Sequence, residues 1–492
     1  MTRLFKLGLL LVYAIITLIA IWHHEIWKDE AHHWLLGRDS TSLFDLIQNS
    51  RYEGHPILWN LLLYFLSFFS HEVWTFQIVH WVIIVTAIWI LIDKSQLPNN
   101  IKLFFVFGYF AIYEFAAISR NYALCMLLIF LSCYLVKQSR FRLNISVAIV
   151  LILLANTHLF GLIYSLGLLM ILIVEQRMHK RLNINNIYLI IIVVAGMLIA
   201  IYQIIPPLDH FLLVNHNQHS VLSMERLIKA VAIPFKALFV LPNFSLPHYW
   251  NSNYFTGVLP TILIAPLVVI SWVLPLWLLR SSRMALGLYG FTLLSICGFT
   301  YLSPLNVSLR HAGFIYMVWI ASYWLMYTQK EQESNRFSLS WKYLLYVPFV
   351  LHLAAGIGSI YKEVASPFSE ALNVSTYLQE QGLDQLMVAT TQNSGASLSA
   401  YLDKKAFYLD KNRLGSFCSW DDNSFSIDKE FIYDNLIQLS QNQKSFVVAL
   451  EYPLAEYQVN KMMDLKYLTK FERSVVSTEN FYLYLYRDQN AL

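Results

Sequence analysis

Long apolar blocks separated by short polar stretches dominate the first three quarters of the chain. They fall at residues 4–22, 74–92, 101–119, 121–136, 145–156, 158–174, 187–205, 258–279, 284–302, 311–327 and 343–361. A helix rises about 1.5 Å per residue, so about 20 residues cross a hydrocarbon core ~30 Å thick, and most of the blocks approach that length. In lipid a segment must satisfy its own backbone hydrogen bonds, which selects helices. The pattern predicts an all-α polytopic membrane protein of about eleven transmembrane helices.

Two stretches are ambiguous by hydropathy. HPILWNLLLYFLSFFS, residues 55–70, could span, and residues 145–174 could be one long helix or two joined at Asn156-Thr157-His158. Basic residues favour the inner side of a membrane. With residues 55–70 lying in the interface and 145–174 a hairpin, Arg3, Lys6, Lys94, Lys137, Arg140, Arg142, Arg177, Lys180, Arg181, Arg280, Arg283, Lys330, Arg336 and Lys342 all fall inside. The N-terminus is then inside. MTRLFK and the apolar run behind it have a signal-like shape but lack a small-residue cleavage site, so they read as an uncleaved first span.

This arrangement leaves two long outer loops, residues 23–73 and 206–257, rich in Trp, Tyr and His. Past residue 361 the pattern changes to alternating helical runs (SEALNVSTYLQEQG, KEFIYDNLIQLS) and strand-like runs (LMVATT, SFVVAL, NFYLYLYR). Residues 1–361 therefore read as a membrane domain. Residues 362–492 read as a small extracytoplasmic α/β domain.

Composition agrees with the membrane assignment. Hydrophobic residues make up 57% and charged residues 13% of the 492, about half the charged fraction of soluble proteins. The net charge of +4 resides in short loops between spans, which argues against a nucleic-acid partner. Cys125, Cys133, Cys297 and Cys418 have no paired spacing, and no disulfide framework or structural zinc is implied.

Ionisable groups near hydrocarbon are costly and therefore informative. Asp29 and Glu30 follow the first span, Glu114 and Arg120 bracket the end of the third, His158 sits at an outer turn and Arg310 precedes the tenth, all at one face. That distribution suits an outward-opening cavity for a substrate that is half lipid and half polar. Simpler roles are open to the same residues: acids cap the first turn of a helix, and arginines at span ends anchor in the interface. Histidines 32, 33, 55, 158, 210, 216 and 219 have no ordered metal-ligand spacing, so no metal is assigned.

The motifs KDEAHHWLLGRDS (28–40), YEGHPILWNLLLY (52–64), ISRNYALCMLL (118–128), NTHLFGLIY (156–164) and SLRHAGFIYM (308–317) occur in an order that resembles the GT-C membrane glycosyltransferases. The likeness is to the branch containing the protein O-mannosyltransferases and the lipid A aminoarabinose transferases. It implies Asp29 as general base with Glu30 beside it, His55 opening an interfacial helix, Arg120 and Tyr122 as the Arg-x-Tyr after the third span, His158 near the donor, and Arg310 at the lipid phosphate. Where many relatives have an acid three residues before that arginine, this chain has Ala117; Glu114, one turn earlier, is the substitute candidate.

The resemblance implies transfer of a sugar from a polyprenyl-phosphate donor to a lipid, glycan or protein hydroxyl, in a bacterial cytoplasmic membrane. A phosphate leaves readily, so the reaction calls for no divalent metal. The rival readings are a flippase or transporter for polyprenyl-linked glycans, and a non-catalytic glycan-binding membrane protein.

Overall fold

The computed structural model describes residues 2–210, 223–303, 308–330, 342–420, 428–462 and 464–488. His216, His219 and Arg336 lie outside them. The membrane part comprises α1 (Arg3–His23), α2 (Lys28–Asp39), α3 (Leu43–Ser50), α4 (Leu58–Ser67), α5 (Val73–Lys94), α6 (Asn99–Val106), α7 (Tyr122–Gln138), α8 (Ile145–Ala155), α9 (Leu159–Met178) and α10 (Ile184–Ile204). It continues with α11 (Met224–Val231), α12 (Ile233–Leu238), α13 (Tyr254–Val258), α14 (Thr261–Leu279), α15 (Arg283–Leu302), α16 (Leu309–Lys330) and α17 (Lys342–Ala365).

Among the described residues six helices, α1, α5, α9, α10, α14 and α15, are long and apolar enough to cross a membrane. Their outer surfaces stay apolar: Ile191 is 58% and Ile262 78% exposed, which water would not tolerate over such lengths but lipid does. The chain is a multi-pass membrane protein. Three further apolar helices are shorter, α4, α7 and α8; at ten residues α4 is only ~15 Å long, about half the thickness of a hydrocarbon core. Residues 145–174 form two helices, α8 and α9, which pack on each other and turn at Asn156–His158.

The third apolar block is not the continuous helix its hydropathy suggests. It is α6, then a π-helical turn at Phe110–Glu114 and an irregular stretch to Asn121. Helix α17 packs against the interruption, where a Cβ on Gly356 would come 2.7 Å from the Phe107 carbonyl oxygen. Two backbones meet there at a distance only glycine permits. The π turn re-aims Glu114, as such turns do at functional sites.

Helix α17 runs to Ala365, four residues past the expected boundary. Beyond it come α18 (Ala371–Glu380), β1 (Met387–Thr390), α19 (Gln392–Tyr401), β2 (Ala406–Tyr408), β3 (Arg413–Gly415), α20 (Lys429–Asn442), β4 (Ser445–Leu450), α21 (Glu456–Lys461), β5 (Leu465–Phe471) and β6 (Phe481–Arg487). The sheet order is β3-β2-β1-β4-β6-β5, with β1 parallel to β2 and β4. Both faces are covered because side chains alternate along β4. Phe446 and Val448 meet Tyr433 and Leu436 of α20, while Val447 and Ala449 meet Val374 of α18 and Leu398 of α19.

Candidate active site

Four residues separate α1 from α2, which starts at Lys28, and Asp29 and Glu30 occupy its first turn, where the helix dipole favours acids. Asp29 Oδ2 lies 2.8 Å from Arg310 Nη2 and 3.1 Å from Arg120 Nη1. The first contact is an aligned hydrogen bond and the second an ion pair without that alignment. Burial alone would raise the Asp29 carboxyl, but Arg310, Arg120 and Lys28 outweigh it and hold the group well below the usual carboxylate range.

The two arginines come from distant parts of the chain. Arg310 enters from the first turn of α16 and sits with its guanidinium carbon 5.2 Å from the Trp27 ring and 5.8 Å from the Trp250 ring. Two aromatic faces suit a planar cation. Arg120 comes from the irregular stretch after the π turn and is 4% exposed. Nε of both arginines and Nη1 of Arg310 are buried and have no hydrogen-bond partner among the described residues.

Glu114 is joined to this group through Trp250, whose Nε1 donates to Glu114 Oε2 at 3.1 Å, and Tyr109 OH donates to the same oxygen at 2.6 Å. Glu30 is engaged otherwise. Its Oε2 faces His24 Nε2 at 2.8 Å and accepts from the Trp27 backbone at 3.3 Å, and its Oε1 accepts from the Ser119 backbone N–H. Glu30 thus ties the start of α2 to the segment carrying Arg120.

Beside the Asp29 pair runs a row of imidazoles. Ring centres of His32 and His33 are 5.3 Å apart, His33 and His55 5.9 Å, His55 and His158 5.0 Å, and His158 and His311 6.1 Å. Tyr122 packs 5.3 Å from His158. His55 Nδ1 and His158 Nε2 are buried without a partner among the described residues. Burial, reinforced by Arg120 and Arg310, pushes His55 down to about 3, so it is neutral. His32 differs: its Nε2 faces Glu53 at 2.7 Å. Among the described residues no group of three or more His, Cys, Asp or Glu is arranged to hold a metal ion.

Asp29, Arg120, Tyr122, His55, His158 and Arg310 are therefore brought to one place, with Glu114 at its edge and Glu30 behind it. The sequence did not single out Trp27, Trp250 or His311 as site residues. Of these only His311 had a signal, its position next to Arg310. The segment between α1 and α5 and the segment after α10 meet through Tyr52 OH, which donates to Asp209 Oδ2 at 2.9 Å.

The C-terminal part closes the back of α2. Glu479 Oε1 accepts from the Lys28 backbone at 2.9 Å, Tyr401 OH accepts from the Ile26 backbone at 2.8 Å, and Cys418 N donates to His32 Nδ1 at 3.1 Å. Ala396 and Ala400 of α19 pack against Ala31 and Leu35 of α2.

No family model and no curated protein matches the chain by sequence. By structure it is similar to a crystal structure of ArnT from Cupriavidus metallidurans bound to undecaprenyl phosphate. The TM-score is 0.52 at 10% identity, over 99% of this chain and 98% of the other. The apo state of the same protein aligns at a TM-score of 0.36 and 10% identity, over 97% and 83% of the two chains. The likeness is one of fold: the chain has the fold of that ArnT structure.

Proposed function

We propose that the protein is an integral membrane glycosyltransferase that moves a sugar from a polyprenyl-phosphate donor to an acceptor hydroxyl on the non-cytoplasmic face. The observation that carries the reading is one carboxylate, Asp29, held by two arginines that keep donors unspent. The fold adds weight, since the similar ArnT structure is bound to undecaprenyl phosphate. Eleven spans with the N-terminus inside would put the site, and the domain from residue 362, outside.

In the proposed displacement the acceptor oxygen attacks the anomeric carbon as the carbon–phosphate oxygen bond breaks, inverting the centre. The hydroxyl proton goes to Asp29 and the bonding pair leaves with the phosphate. Arg120 and Arg310 neutralise the growing phosphate charge, a role a guanidinium fork performs well. The neutral imidazoles of His55 and His158 can hydrogen-bond the sugar or phosphate oxygens, and the rings of Trp27, Tyr122 and Trp250 offer faces for the sugar and isoprenoid. Glu30 acts as a positioning residue for Arg120. Glu114 holds Trp250 against Arg310.

A carboxylate clamped by two arginines is a weak base. An arriving phosphate competes for those arginines, loosens their hold on Asp29 and raises its basicity. The donor thereby arms the base, and water has little chance of being activated before the donor is in place.

The test offers purified protein in nanodiscs a radiolabelled polyprenyl-phosphate sugar or the matching nucleotide sugar, with crude lipid or glycan acceptor. Transfer from the lipid-linked sugar that is lost in Arg310→Ala and kept in the exposed-site control Lys229→Ala is expected. Transfer from the nucleotide sugar without any polyprenyl carrier refutes the reading. Movement of the intact lipid-linked donor without bond cleavage would indicate a transporter.

A further inference from the structure

His24, a buried group behind the Asp29 centre, takes no part in the chemistry proposed above. It follows α1 directly, and Glu363 lies near the end of α17. His24 Nε2 is 2.8 Å from Glu30 Oε2 and its Nδ1 is 2.6 Å from Glu363 Oε1, with all three side chains fully buried. A neutral imidazole has one N–H and would turn a bare lone pair towards one of the carboxylates, so the ring is an imidazolium. Burial opposes that charge, but Glu30 and Glu363 outweigh it and hold the ring well above the usual histidine range.

The imidazolium is held in place from other sides as well. Gln77 Nε2 of α5 donates to the His24 carbonyl at 3.0 Å, and the ring packs 4.7 Å from that of Phe368. Glu30 carries this fixed point on to the Arg120 segment. Its Oε2 takes His24 and the Trp27 N–H, and its Oε1 takes the Ser119 N–H. Ser119 lies in the irregular stretch between the π turn and α7. Arg120 is the next residue, and its Nη1 stands 3.1 Å from Asp29 Oδ2. A buried carboxylate that loses its cation is costly, and it sheds that cost by taking a proton or by turning away. Either response loosens the hold on Ser119.

A merely structural tie between α1 and α17 would use both carboxylates alike. Their contacts are unequal. Glu363 Oε2 has no hydrogen-bond partner among the described residues, so that side leads no further. The Glu30 side reaches the backbone of both Trp27 and Ser119.

We propose that His24 is a positioning residue for Arg120: as the charge partner of Glu30 it fixes the Ser119 backbone, and with it the guanidinium that pairs with Asp29. The role deepens the transferase reading, on which it rests for its ligand, and His24 itself touches no reacting atom.

The test compares full-length His24→Gln, Glu363→Gln and unaltered protein in nanodiscs, by hydrogen exchange of the peptide containing Ser119 and by binding of undecaprenyl phosphate. His24→Gln should lose protection at Ser119 and bind undecaprenyl phosphate roughly tenfold more weakly, the scale of a contact one step behind a ligand. Glu363→Gln, whose amide oxygen can still accept from His24, should match the unaltered protein in both. In a Glu30→Ala background, His24→Gln should weaken binding no further. The double variant His24→Gln/Glu363→Gln removes one charge of each sign and keeps the test valid should His24→Gln alone fold poorly. Unchanged Ser119 protection in His24→Gln, equal losses in Glu363→Gln, or unchanged binding despite lost protection overturns the proposal. Failure of the unaltered protein to bind undecaprenyl phosphate would instead refute the transferase reading, and the exchange contrast would still decide the role of His24.

Discussion

Replacing Asp29 with Asn should slow transfer and tighten donor binding at the same time. The slowing follows from loss of the base, at least ~10²-fold in kcat. The tightening follows from the ion pairs. Asp29 Oδ2 stands 2.8 Å and 3.1 Å from two guanidinium nitrogens, and a unit charge at about 4 Å in an effective dielectric of about 20 interacts by about 4 kcal/mol. A donor phosphate must displace that carboxylate, so removing its charge returns part of the interaction. Allowing half for solvent, since Asp29 is 27% exposed at its side chain, leaves about 2 kcal/mol, or roughly thirtyfold in Kd. The assay is binding of polyprenyl phosphate to purified Asp29→Asn and unaltered protein, beside turnover at saturating donor. Unchanged or weaker phosphate binding in Asp29→Asn would refute the idea that the arginines serve the donor. Near-normal kcat would remove Asp29 as the base.

Three further outcomes are expected. Burial raises the Glu479 carboxyl to about 7 against the pull of Ser397, Ser369 and Lys28; an acid raised in the fold binds its proton more tightly there than when unfolded. Its contribution to stability therefore falls as pH rises from about 4.5 to about 7, and Glu479→Gln should flatten the melting temperature over that window, whereas an unchanged slope counts against it. Glu479→Ala orphans the Lys28 N–H and two serine hydroxyls, and should cost about 3 kcal/mol in denaturant unfolding of the C-terminal part. In intact cells a cysteine at Gln138 should be shielded from an impermeant thiol reagent and one at Gln441 labelled; the reverse pattern would put the Asp29 site on the cytoplasmic face.

What the sequence disclosed and what it hid divide along physical lines. Helices were legible because lipid forces each apolar run to satisfy its own backbone: ten of the eleven blocks reappear as continuous helices, six of them long and apolar enough to cross. The third block is interrupted after Val106, where it meets the backbone of α17 at Gly356, some 250 residues later, a contact on which hydropathy is silent. The polar residues Asp29, Arg120, His158 and Arg310 were legible by their cost near hydrocarbon. Their neighbours Trp27 and Trp250 were not, because aromatic residues abound at membrane interfaces. Glu30 looked equivalent to Asp29 in sequence. Successive helical residues point about 100° apart, however, so one faces the arginines and the other turns to His24 and Ser119.

The same separation explains why the C-terminal part belongs to the site. Helix α2 has only twelve residues and lies between a span and a loop, too short to hold a fixed orientation unaided. It gains one from both sides. Glu30 fixes its first turn to Ser119 on the Arg120 segment, and Glu479, at the far end of the chain, accepts from its first backbone N–H, that of Lys28. Further along, Arg38 Nη1 pairs with Asp403 at 2.8 Å, and α19 packs its alanines on the intervening turn. Asp29 is thus set by contacts spread from residue 30 to residue 479, while the face it presents to Arg120 and Arg310 carries none of them. A change in how the C-terminal part seats would move Asp29 against Arg310, which is held on α16, and in the proposed reaction the strength of that pairing would set how readily a phosphate replaces the carboxylate.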